Sequence, residues 1–438
     1  MNISFSAYRV LTACSSVLLI PLIWMHHRFR GGDYRRFYQR MGHYPDAVAQ
    51  GLQGRPRIWI HAVSVGEVGV AAAIVKALHQ MLPQCAIALS TIREQGLGRA
   101  RELLGDTGRY FFAPLDLVIP TRKALRTIRP DVLVLLETEI WPNLIVEAQR
   151  AGARIAIVNG RISPRSIRRY HKVRSLMHYT LSHVDAFSMI SEEDAARIRS
   201  LGAAADRVCV NGNAKFDRPD PLIEEGVQVW GRRLYGIHEG VQAIVAGSTR
   251  HPEEPVILDA FMKIRARWPN TVLIIAPRHI ERTEQVAQWV RARGLACQLR
   301  TTLDTPDECR TAPVVILDTI GELTATYSIA DIVFCGGSLV PKGGQNILEP
   351  AMWGKPILYG PSMEDFADAR ELIQAAGGGV TVETADQMAD KCIEWLQSPQ
   401  QSIAAGLAAR KAILPHRGAA HKHAQVIHAL LERDAPRI

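Results

Sequence analysis

The chain lacks paired cysteines. Its seven cysteines are scattered over 438 residues, and no two of them form a C-x-x-C pair. This scatter is typical of buried free thiols in a reducing compartment. His421 and His423 lie two residues apart, but no cluster of carboxylates or cysteines accompanies them at the spacing of metal ligands. We therefore expect neither a metal nor any other cofactor.

Complete nucleotide-binding fingerprints are also missing. The stretch Gly96–Arg101 reads GLGRAR, which puts arginine where a dinucleotide-binding fold needs its third glycine or alanine. The P-loop pattern G-x-x-x-x-G-K-[ST] does not occur anywhere in the chain. The sequence therefore excludes the usual dehydrogenase and P-loop classes.

The charge balance has no acidic excess, since the formal net charge is +9. A positive surplus suits anionic partners such as nucleic acid, phospholipid headgroups or phosphorylated substrates. The sequence contains no recognisable nucleic-acid-binding module and no basic stretch interleaved with aromatic residues. We therefore predict no nucleic-acid partner and favour phospholipid and phosphorylated ligands.

A long apolar run is absent as well. The segment Leu11–Met25 is uncharged over only fifteen residues, whereas a perpendicular helical span needs about 20. No small-x-small cleavage site follows this segment, so a secretory signal fits poorly. A basic cluster does follow it, and this flank favours the cytoplasmic side of a membrane and contact with anionic phospholipid. Residues 1–40 are therefore predicted to form a membrane anchor, and the alternative is a first core helix with a solvated basic face.

From residue 57 onward, apolar strands alternate with helical stretches. The first series of strands is predicted at 57–62, 85–91, 109–113, 131–137, 154–159, 184–190 and 207–210, and the second at 242–246, 271–276, 314–318, 331–335, 356–359 and 379–382. This alternation predicts parallel sheets covered on both faces by helices. The proline-broken stretch at 218–221 separates the series. We predict two α/β domains, 41–218 and 219–418, that face a cleft, followed by a helix at 419–438 that crosses the domain boundary.

Three charged residues of the first half are candidates for catalysis. Ligands of open α/β sheets bind beyond the carboxyl ends of strands, and Glu67 follows such a strand end through the turn at Gly66. Glu67 is therefore a candidate general base, unless it is only a first-turn residue favoured by the helix dipole. Glu137 and Glu139 follow another strand, where a second acid would orient Glu67 or raise its pKa. We predict a role for Glu137 and leave Glu139 open. Lys215 is either a cation for a substrate anion or a solvated lysine.

The second half carries a candidate site for a nucleoside phosphate. The glycine-rich loop Gly336–Leu339 follows a strand, and we expect its backbone amides to approach a phosphate. Glu349 could accept hydrogen bonds from both hydroxyls of a ribose. Arg278 ends a neighbouring strand and could clamp the phosphate, while Glu322 could contact the base. The alternative is that the glycines serve only close packing of a strand against a helix.

In their order along the chain, these motifs resemble the 3-deoxy-D-manno-octulosonic acid (Kdo) transferases of lipopolysaccharide assembly. The matching stretches are the amino-terminal anchor, His61–Glu67, Glu137–Leu144, Asn213–Asp217, Pro277–His279, Gly321–Leu323, Gly336–Leu339 and Asn346–Glu349. The resemblance implies a glycosyltransferase-B architecture with two Rossmann-like domains. It also implies inverting transfer of Kdo from CMP-Kdo to a lipid A precursor at the cytoplasmic side of the inner membrane.

Carried over position by position, the resemblance implies that Glu67 is the general base and that Glu137 and Lys215 stabilise the transition state. It implies that the CMP-binding positions are Pro277, Arg278, Ile320, Gly321, Glu322, Asn346, Ile347, Leu348 and Glu349. Two alternatives stay open. One is a glycosyltransferase-B enzyme that uses a UDP-sugar, because this fold accepts many donors. The other is a membrane-tethered scaffold that has lost catalysis.

Overall fold

The computed structural model describes residues 3–30, 34–217, 225–303 and 310–432. The predicted linker at 218–221 and part of the predicted basic flank, residues 31–33, lie outside the described residues. The chain divides into two compact units. The first unit comprises Met1–Arg218 together with His416–Ile438, and the second comprises Pro219–Pro415.

The described strands of the first unit form one parallel sheet in the order β3-β2-β1-β4-β5-β6-β7. These strands are β1 (Arg57–His61), β2 (Ala86–Thr91), β3 (Gly108–Phe112), β4 (Val132–Leu136), β5 (Arg154–Gly160), β6 (Ala186–Met189) and β7 (Val208–Val210). The helices that precede or connect them are α1 (Ile3–Arg30), α2 (Tyr34–Arg40), α3 (Asp46–Gln50), α4 (Val65–Met81), α5 (Glu94–Leu104), α6 (Val118–Ile128), α7 (Pro142–Arg150), α8 (Pro164–Lys172), α9 (Arg174–Leu181) and α10 (Glu192–Ser200). The strands are nearly all apolar because helices cover both faces of the sheet, with one buried cluster on each face.

The second unit repeats this plan with the described strands in the order β10-β11-β9-β8-β12-β13-β14, again all parallel. Its strands are β8 (Gln242–Thr249), β9 (Thr271–Pro277), β10 (Cys297–Leu299), β11 (Val314–Ile316), β12 (Ile332–Cys335), β13 (Ile357–Tyr359) and β14 (Gly379–Thr381). Its helices are α11 (Glu225–Leu234), α12 (Glu253–Arg267), α13 (Thr283–Arg291), α14 (Leu323–Tyr327), α15 (Leu348–Met352), α16 (Ala367–Ala375), α17 (Ala385–Gln397) and α18 (Pro399–Ile413). The predicted strands are confirmed with small shifts at their ends, and β10 is the strand that the sequence did not predict.

The last helix, α19 (Ala419–Glu432), returns to the first unit and packs against α4. His423 on this helix is buried, and its ring nitrogens lie 2.7 Å from Ser188 Oγ and 3.1 Å from the Gly212 carbonyl oxygen. Burial lowers the pKa of His423 to about 4, so the ring is neutral. Asp217 accepts hydrogen bonds from two backbone amides at the start of α19. The helix therefore fixes the segment that leads from Gly212 to Asp217.

The first turns of α1 pack against the first unit. Phe5 is buried with its ring centroid 4.9 Å from that of Tyr179, and the Tyr8 hydroxyl donates to Asp116 at 2.7 Å. Further along the helix, Leu11 and Val17 are exposed. In the part of the chain that the structure describes, no helix is both long enough and apolar enough to cross a membrane.

Candidate active site

Glu67 lies in the first turn of α4, which already includes Gly66, the residue that the sequence assigned to a turn. The helix begins at Val65 because Ser64 and Glu67 form a capping box. Ser64 Oγ accepts from the Glu67 amide at 3.2 Å, and the Glu67 carboxylate accepts from the Ser64 amide at 3.2 Å and from the Val63 amide at 2.8 Å. Glu67 therefore fulfils the structural role that was its alternative interpretation, and its chemistry must be judged from its surroundings.

Those surroundings disfavour a negative charge on Glu67. Its exposed fraction is only 6%. Burial and the neighbouring Glu137 raise the pKa of the Glu67 carboxyl to about 7, although hydrogen bonds with the Val63 backbone and with Ser64 oppose the rise and Glu139 adds to it. A carboxyl group with this pKa is protonated and deprotonated in comparable amounts near neutral pH. Such a group is suited to accept a proton at physiological pH.

Glu137 and Lys215 form an ion pair beside Glu67. Lys215 Nζ lies 3.3 Å from Glu137 Oε1, with both side chains mostly buried. Glu137 follows β4 directly and has a backbone φ of +52°. This left-handed conformation costs a non-glycine residue roughly 1–2 kcal/mol, and such strain concentrates at functional sites. The structure therefore brings together the three predicted catalytic residues, at the carboxyl edge of the first sheet.

Asn159 fixes the loop that carries Lys215, and sequence reasoning missed it. Its side-chain oxygen accepts from the Ala214 amide at 2.8 Å, and its own φ is +52°. Asn213 completes the loop by accepting from the Lys215 amide at 3.0 Å. The one available signal was an asparagine at the end of a strand, because asparagine tolerates the left-handed region better than most residues.

Glu139 has an aromatic hydrogen-bond donor of its own. Its carboxylate accepts from the indole nitrogen of Trp141 at 2.7 Å, and burial raises its pKa. The Trp141 ring in turn packs edge to face on buried His61, with ring centroids 4.6 Å apart. Glu139 therefore acts on Glu67 through its charge and has its own hydrogen-bond donor.

Arg278 is an exposed cation at the carboxyl edge of the second sheet. Pro277 ends β9 and is buried, whereas Arg278 is exposed beyond the strand. The Arg278 amide donates to the Thr249 carbonyl at 2.9 Å, which joins the ends of β9 and β8. The guanidinium therefore projects from a fixed backbone, as a phosphate clamp requires.

The loop before α14 presents an apolar side chain beside a fixed carboxylate. Ile320 is 81% exposed, and Gly321 has a φ of +95° that suits glycine. Arg300, which is nearly fully buried, holds the Glu322 carboxylate with two hydrogen bonds of 2.8 and 3.3 Å. The arrangement leaves Ile320 open to a ligand and keeps Glu322 in one orientation.

Glu349 is tied to the first turn of α14 through Thr324. The Thr324 hydroxyl donates to one carboxylate oxygen at 3.0 Å, and the Asn346 side chain donates to the other at 2.7 Å. Ile347 and Leu348 are buried in the core, so their side chains face away from any ligand. Of the predicted segment Asn346–Glu349, only the two polar residues therefore present side-chain groups to a ligand.

The glycine-rich loop does not offer its amides to a phosphate, so this prediction is wrong. The amides of Gly337, Ser338 and Leu339 donate to the buried Glu253 carboxylate at 2.6, 2.8 and 2.8 Å. The Arg250 amide donates to the same carboxylate at 2.8 Å. A carboxylate of the protein thus occupies the anion-binding backbone. A bound phosphate must therefore rely on other groups, of which the exposed Arg278 is one candidate.

Replacing Glu253 with glutamine is expected to destabilise the second unit. The amide group keeps one oxygen acceptor but turns a nitrogen donor toward backbone N–H groups, which leaves about two donors unsatisfied. Each such loss costs about 1–3 kcal/mol, so the midpoint of urea unfolding should fall clearly. The exposed Glu383→Gln exchange is the matched control and should leave the midpoint unchanged. Equal midpoints for both variants would contradict this role of Glu253.

The histidines near the end of the chain are not arranged as metal ligands. Both ring nitrogens of His423 are engaged with protein atoms, as described above. Among the residues that the structure describes, no group of three or more His, Cys, Asp or Glu side chains could hold a metal ion.

Comparison with protein families finds a match over residues 35–218, which make up most of the first unit. The matching family is described as 3-deoxy-D-manno-octulosonic-acid transferase (kdotransferase). A 3-deoxy-D-manno-octulosonic acid transferase of Haemophilus influenzae is 30% identical over 403 residues, which cover 91% of this chain and 92% of that protein. The enzyme of the same name from Bordetella pertussis is 30% identical over 419 residues, 92% of this chain and 95% of its own length.

Solved structures share the fold at low sequence identity. A glycosyltransferase from Rickettsia africae has a TM-score of 0.56 at 14% identity and covers 86% of this chain and 98% of its own. A UDP-GlcNAc 2-epimerase from Neisseria meningitidis has a TM-score of 0.57 at 12% identity and covers 86% of this chain and 100% of its own. These similarities establish the architecture of paired parallel-sheet α/β domains and nothing about the substrate.

Proposed function

Because the chain belongs to the 3-deoxy-D-manno-octulosonic acid (Kdo) transferase family, we propose that it moves Kdo from CMP-Kdo to a lipid A precursor, lipid IVA. Family membership makes the protein a glycosyltransferase of lipopolysaccharide biosynthesis. The observation that best supports a retained activity is the buried Glu67 carboxyl, whose pKa of about 7 suits a general base, beside the Glu137–Lys215 pair. A scaffold without catalysis has no need of this costly arrangement.

In the proposed reaction, Glu67 removes the proton from a primary hydroxyl of the acceptor. The hydroxyl oxygen attacks the ketosidic carbon of Kdo, the bond from that carbon to the phosphate oxygen breaks, and CMP leaves from the opposite face. This single displacement inverts the configuration at the ketosidic carbon. The proton ends on Glu67 and the negative charge on CMP, so both atoms and charges balance.

Lys215 would stabilise the anionic groups of the transition state. The Kdo carboxylate and the departing phosphate both carry negative charge, and a mostly buried ammonium group attracts them more strongly than a solvated one. Glu137 holds Lys215 in place and also raises the pKa of Glu67. The Glu137 carboxylate thus acts on both the base, Glu67, and the cation, Lys215.

The second unit would bind the CMP portion of the donor. Arg278 is exposed for the phosphate, and Glu349 can accept hydrogen bonds from ribose hydroxyls next to those from Thr324 and Asn346. The exposed Ile320 side chain offers an apolar contact for the flat base. Gly321 and Glu322 shape the loop that carries it.

We place the enzyme at the cytoplasmic side of the inner membrane. The exposed apolar side chains of α1, which include Leu11 and Val17, together with the basic residues that follow, fit a helix lying in the headgroup region. Anionic phospholipid would add electrostatic attraction to this apolar contact.

Binding of CMP is expected to raise the melting temperature of the purified protein more than binding of UDP. Replacing Arg278 with alanine should weaken CMP binding about tenfold or more, because the phosphate loses a charge-assisted partner. A thermal-shift titration with both nucleotides measures the preference for CMP over UDP. The same titration of the Arg278→Ala variant with CMP measures its loss of affinity. The exposed Arg291→Ala exchange, on α13 of the same unit, is the control. Selective stabilisation by UDP would favour the enzyme that uses a UDP-sugar.

Mass spectrometry of the reaction product tests the proposed function as a whole. The purified enzyme is incubated with CMP-Kdo and lipid IVA, and the product should gain the mass of one or more Kdo residues. A parallel incubation with a UDP-sugar should leave the acceptor unchanged. Recovery of unmodified acceptor from the CMP-Kdo reaction would reject the proposal and support the catalytically inactive scaffold.

A further inference from the structure

A basic cavity lies at the amino edge of the first sheet, opposite the edge that carries Glu67. It is located where Asp131 leads into β4 and where α6 and α7 end, and its volume is about 740 Å³. Five arginines line it: Arg55, Arg122, Arg126, Arg129 and Arg150. Cavities of this size hold small molecules, and the activity described above makes no use of this one.

Two carboxylates order part of this arginine cluster. Glu147, whose side chain is 3% exposed, accepts from Arg122 at 2.6 Å and from Arg150 at 2.8 Å. Asp131 accepts from Arg55 at 2.5 Å. Five guanidinium groups thus face two carboxylates, which leaves a formal surplus of three positive charges in the lining. Arranging the arginines in this way before any ligand arrives reduces the entropy lost on binding.

Arg126 and Arg129 contribute most of the surplus positive charge in the lining of the cavity. Both are exposed, and within the described ranges neither forms an ion pair with a carboxylate. Arg129 ends α6 with a φ of +51°, and its Nε donates to the Arg126 carbonyl at 3.2 Å. Glycine is the usual residue at such a helix end. The arginine that stands here instead adds a guanidinium to the wall of the cavity.

Stabilisation of helix ends does not account for the whole cluster. The ends of α6 and α7 each carry about half a negative charge, and one cation near each would compensate them. Arg126 and Arg150 lie in the last turns of these helices and could serve that purpose. Three further arginines remain, and arginine binds phosphate oxygens through paired N–H groups.

We propose that this cavity binds a phosphate monoester. Such a group carries close to two negative charges at neutral pH and presents three oxygens to the arginine donors. Two sources present this group: a small phosphorylated metabolite in solution and a lipid headgroup. Arg9 of α1 also approaches Glu147, at 3.6 Å, so the amino-terminal helix runs close to the cavity.

The test compares two double variants that remove the same charge. Arg126→Gln/Arg129→Gln alters the cavity, whereas Arg99→Gln/Arg101→Gln alters exposed arginines of α5. Calorimetry with glycerol 3-phosphate measures binding from solution. Sedimentation with phosphatidylcholine vesicles that contain phosphatidic acid, compared with phosphatidylcholine alone, measures binding to a lipid headgroup.

We expect the cavity variant to lose at least tenfold in affinity in one of the two measurements, while the α5 variant stays close to the unaltered protein. The measurement that responds identifies the source of the phosphate. Arg129→Gly is a second variant in case the double variant misfolds, because glycine suits the backbone conformation at this position. It should weaken the same binding. Equal losses in both double variants, or no binding of either probe by the unaltered protein, would overturn the proposal.

Discussion

Replacing Glu67 with glutamine is expected to lower kcat for Kdo transfer by about 10²–10⁴-fold, the range that a general base contributes. Glutamine has nearly the same shape and keeps one oxygen that can accept from the Val63 or Ser64 amide, so the start of α4 should persist. CMP affinity should be unchanged, because the proposed CMP-binding residues belong to the second unit. Steady-state kinetics and a CMP titration of the same preparation separate the two effects.

Ser64→Ala is the control for the structural role of Glu67. It removes the hydroxyl acceptor of the capping box, which costs about 1 kcal/mol of stability, but it leaves the carboxylate in place. Its turnover should remain within a few-fold of the unaltered enzyme. If Ser64→Ala loses as much activity as Glu67→Gln, then Glu67 acts by capping the helix and not as a base.

Lys215→Met is expected to lower kcat by about 10²–10³-fold, the size of effect seen when one stabilising group is removed from a transition state. Methionine retains the apolar length of the side chain but not its charge. Glu137→Gln should lower kcat as well, because the ammonium group loses the partner that lies 3.3 Å away. Kinetics of both single variants and the double variant give the coupling between them.

The losses should not add in the double variant, since the two residues act as one unit. Glu137→Gln has a second expected effect. The Glu137 charge raises the pKa of Glu67, so its removal should move the acid limb of the pH–rate profile to lower pH. If the losses in kcat add in the double variant and the acid limb of the pH–rate profile does not move, then Glu137 and Lys215 act independently of each other and of Glu67.

The alternation of strands and helices could be predicted from the sequence because it reflects local composition. Strands buried on both faces are continuous apolar runs. Short crossover connections determine how successive strands are arranged in the sheet. Strand β10 escaped prediction because polar Gln298 interrupts its three residues, whereas β7, which is equally short, is apolar throughout. Gly66 was assigned to a turn but belongs to α4, because a capping box, and not the apolar pattern, determines where that helix begins.

The contacts within each site depend on residues far apart in the chain. Glu253 and Gly337 are separated by 84 residues, and nothing near Gly337 reveals that a carboxylate already satisfies its amide. The same holds for His423 and Ser188, which are 235 residues apart. Motifs therefore singled out Glu67, Glu137 and Lys215, which the structure brings together, whereas their supporting residues emerged only from the fold.

The pH dependence of kcat shows whether Glu67 acts as the general base. A base must be deprotonated to act, and the pKa of Glu67 is raised to about 7. The kcat of the unaltered enzyme should fall tenfold per pH unit below about pH 7 and level off above it, whereas the residual kcat of Glu67→Gln should not fall in this way. A kcat that stays constant from pH 5.5 to 8, or a limb that persists in Glu67→Gln, would contradict it.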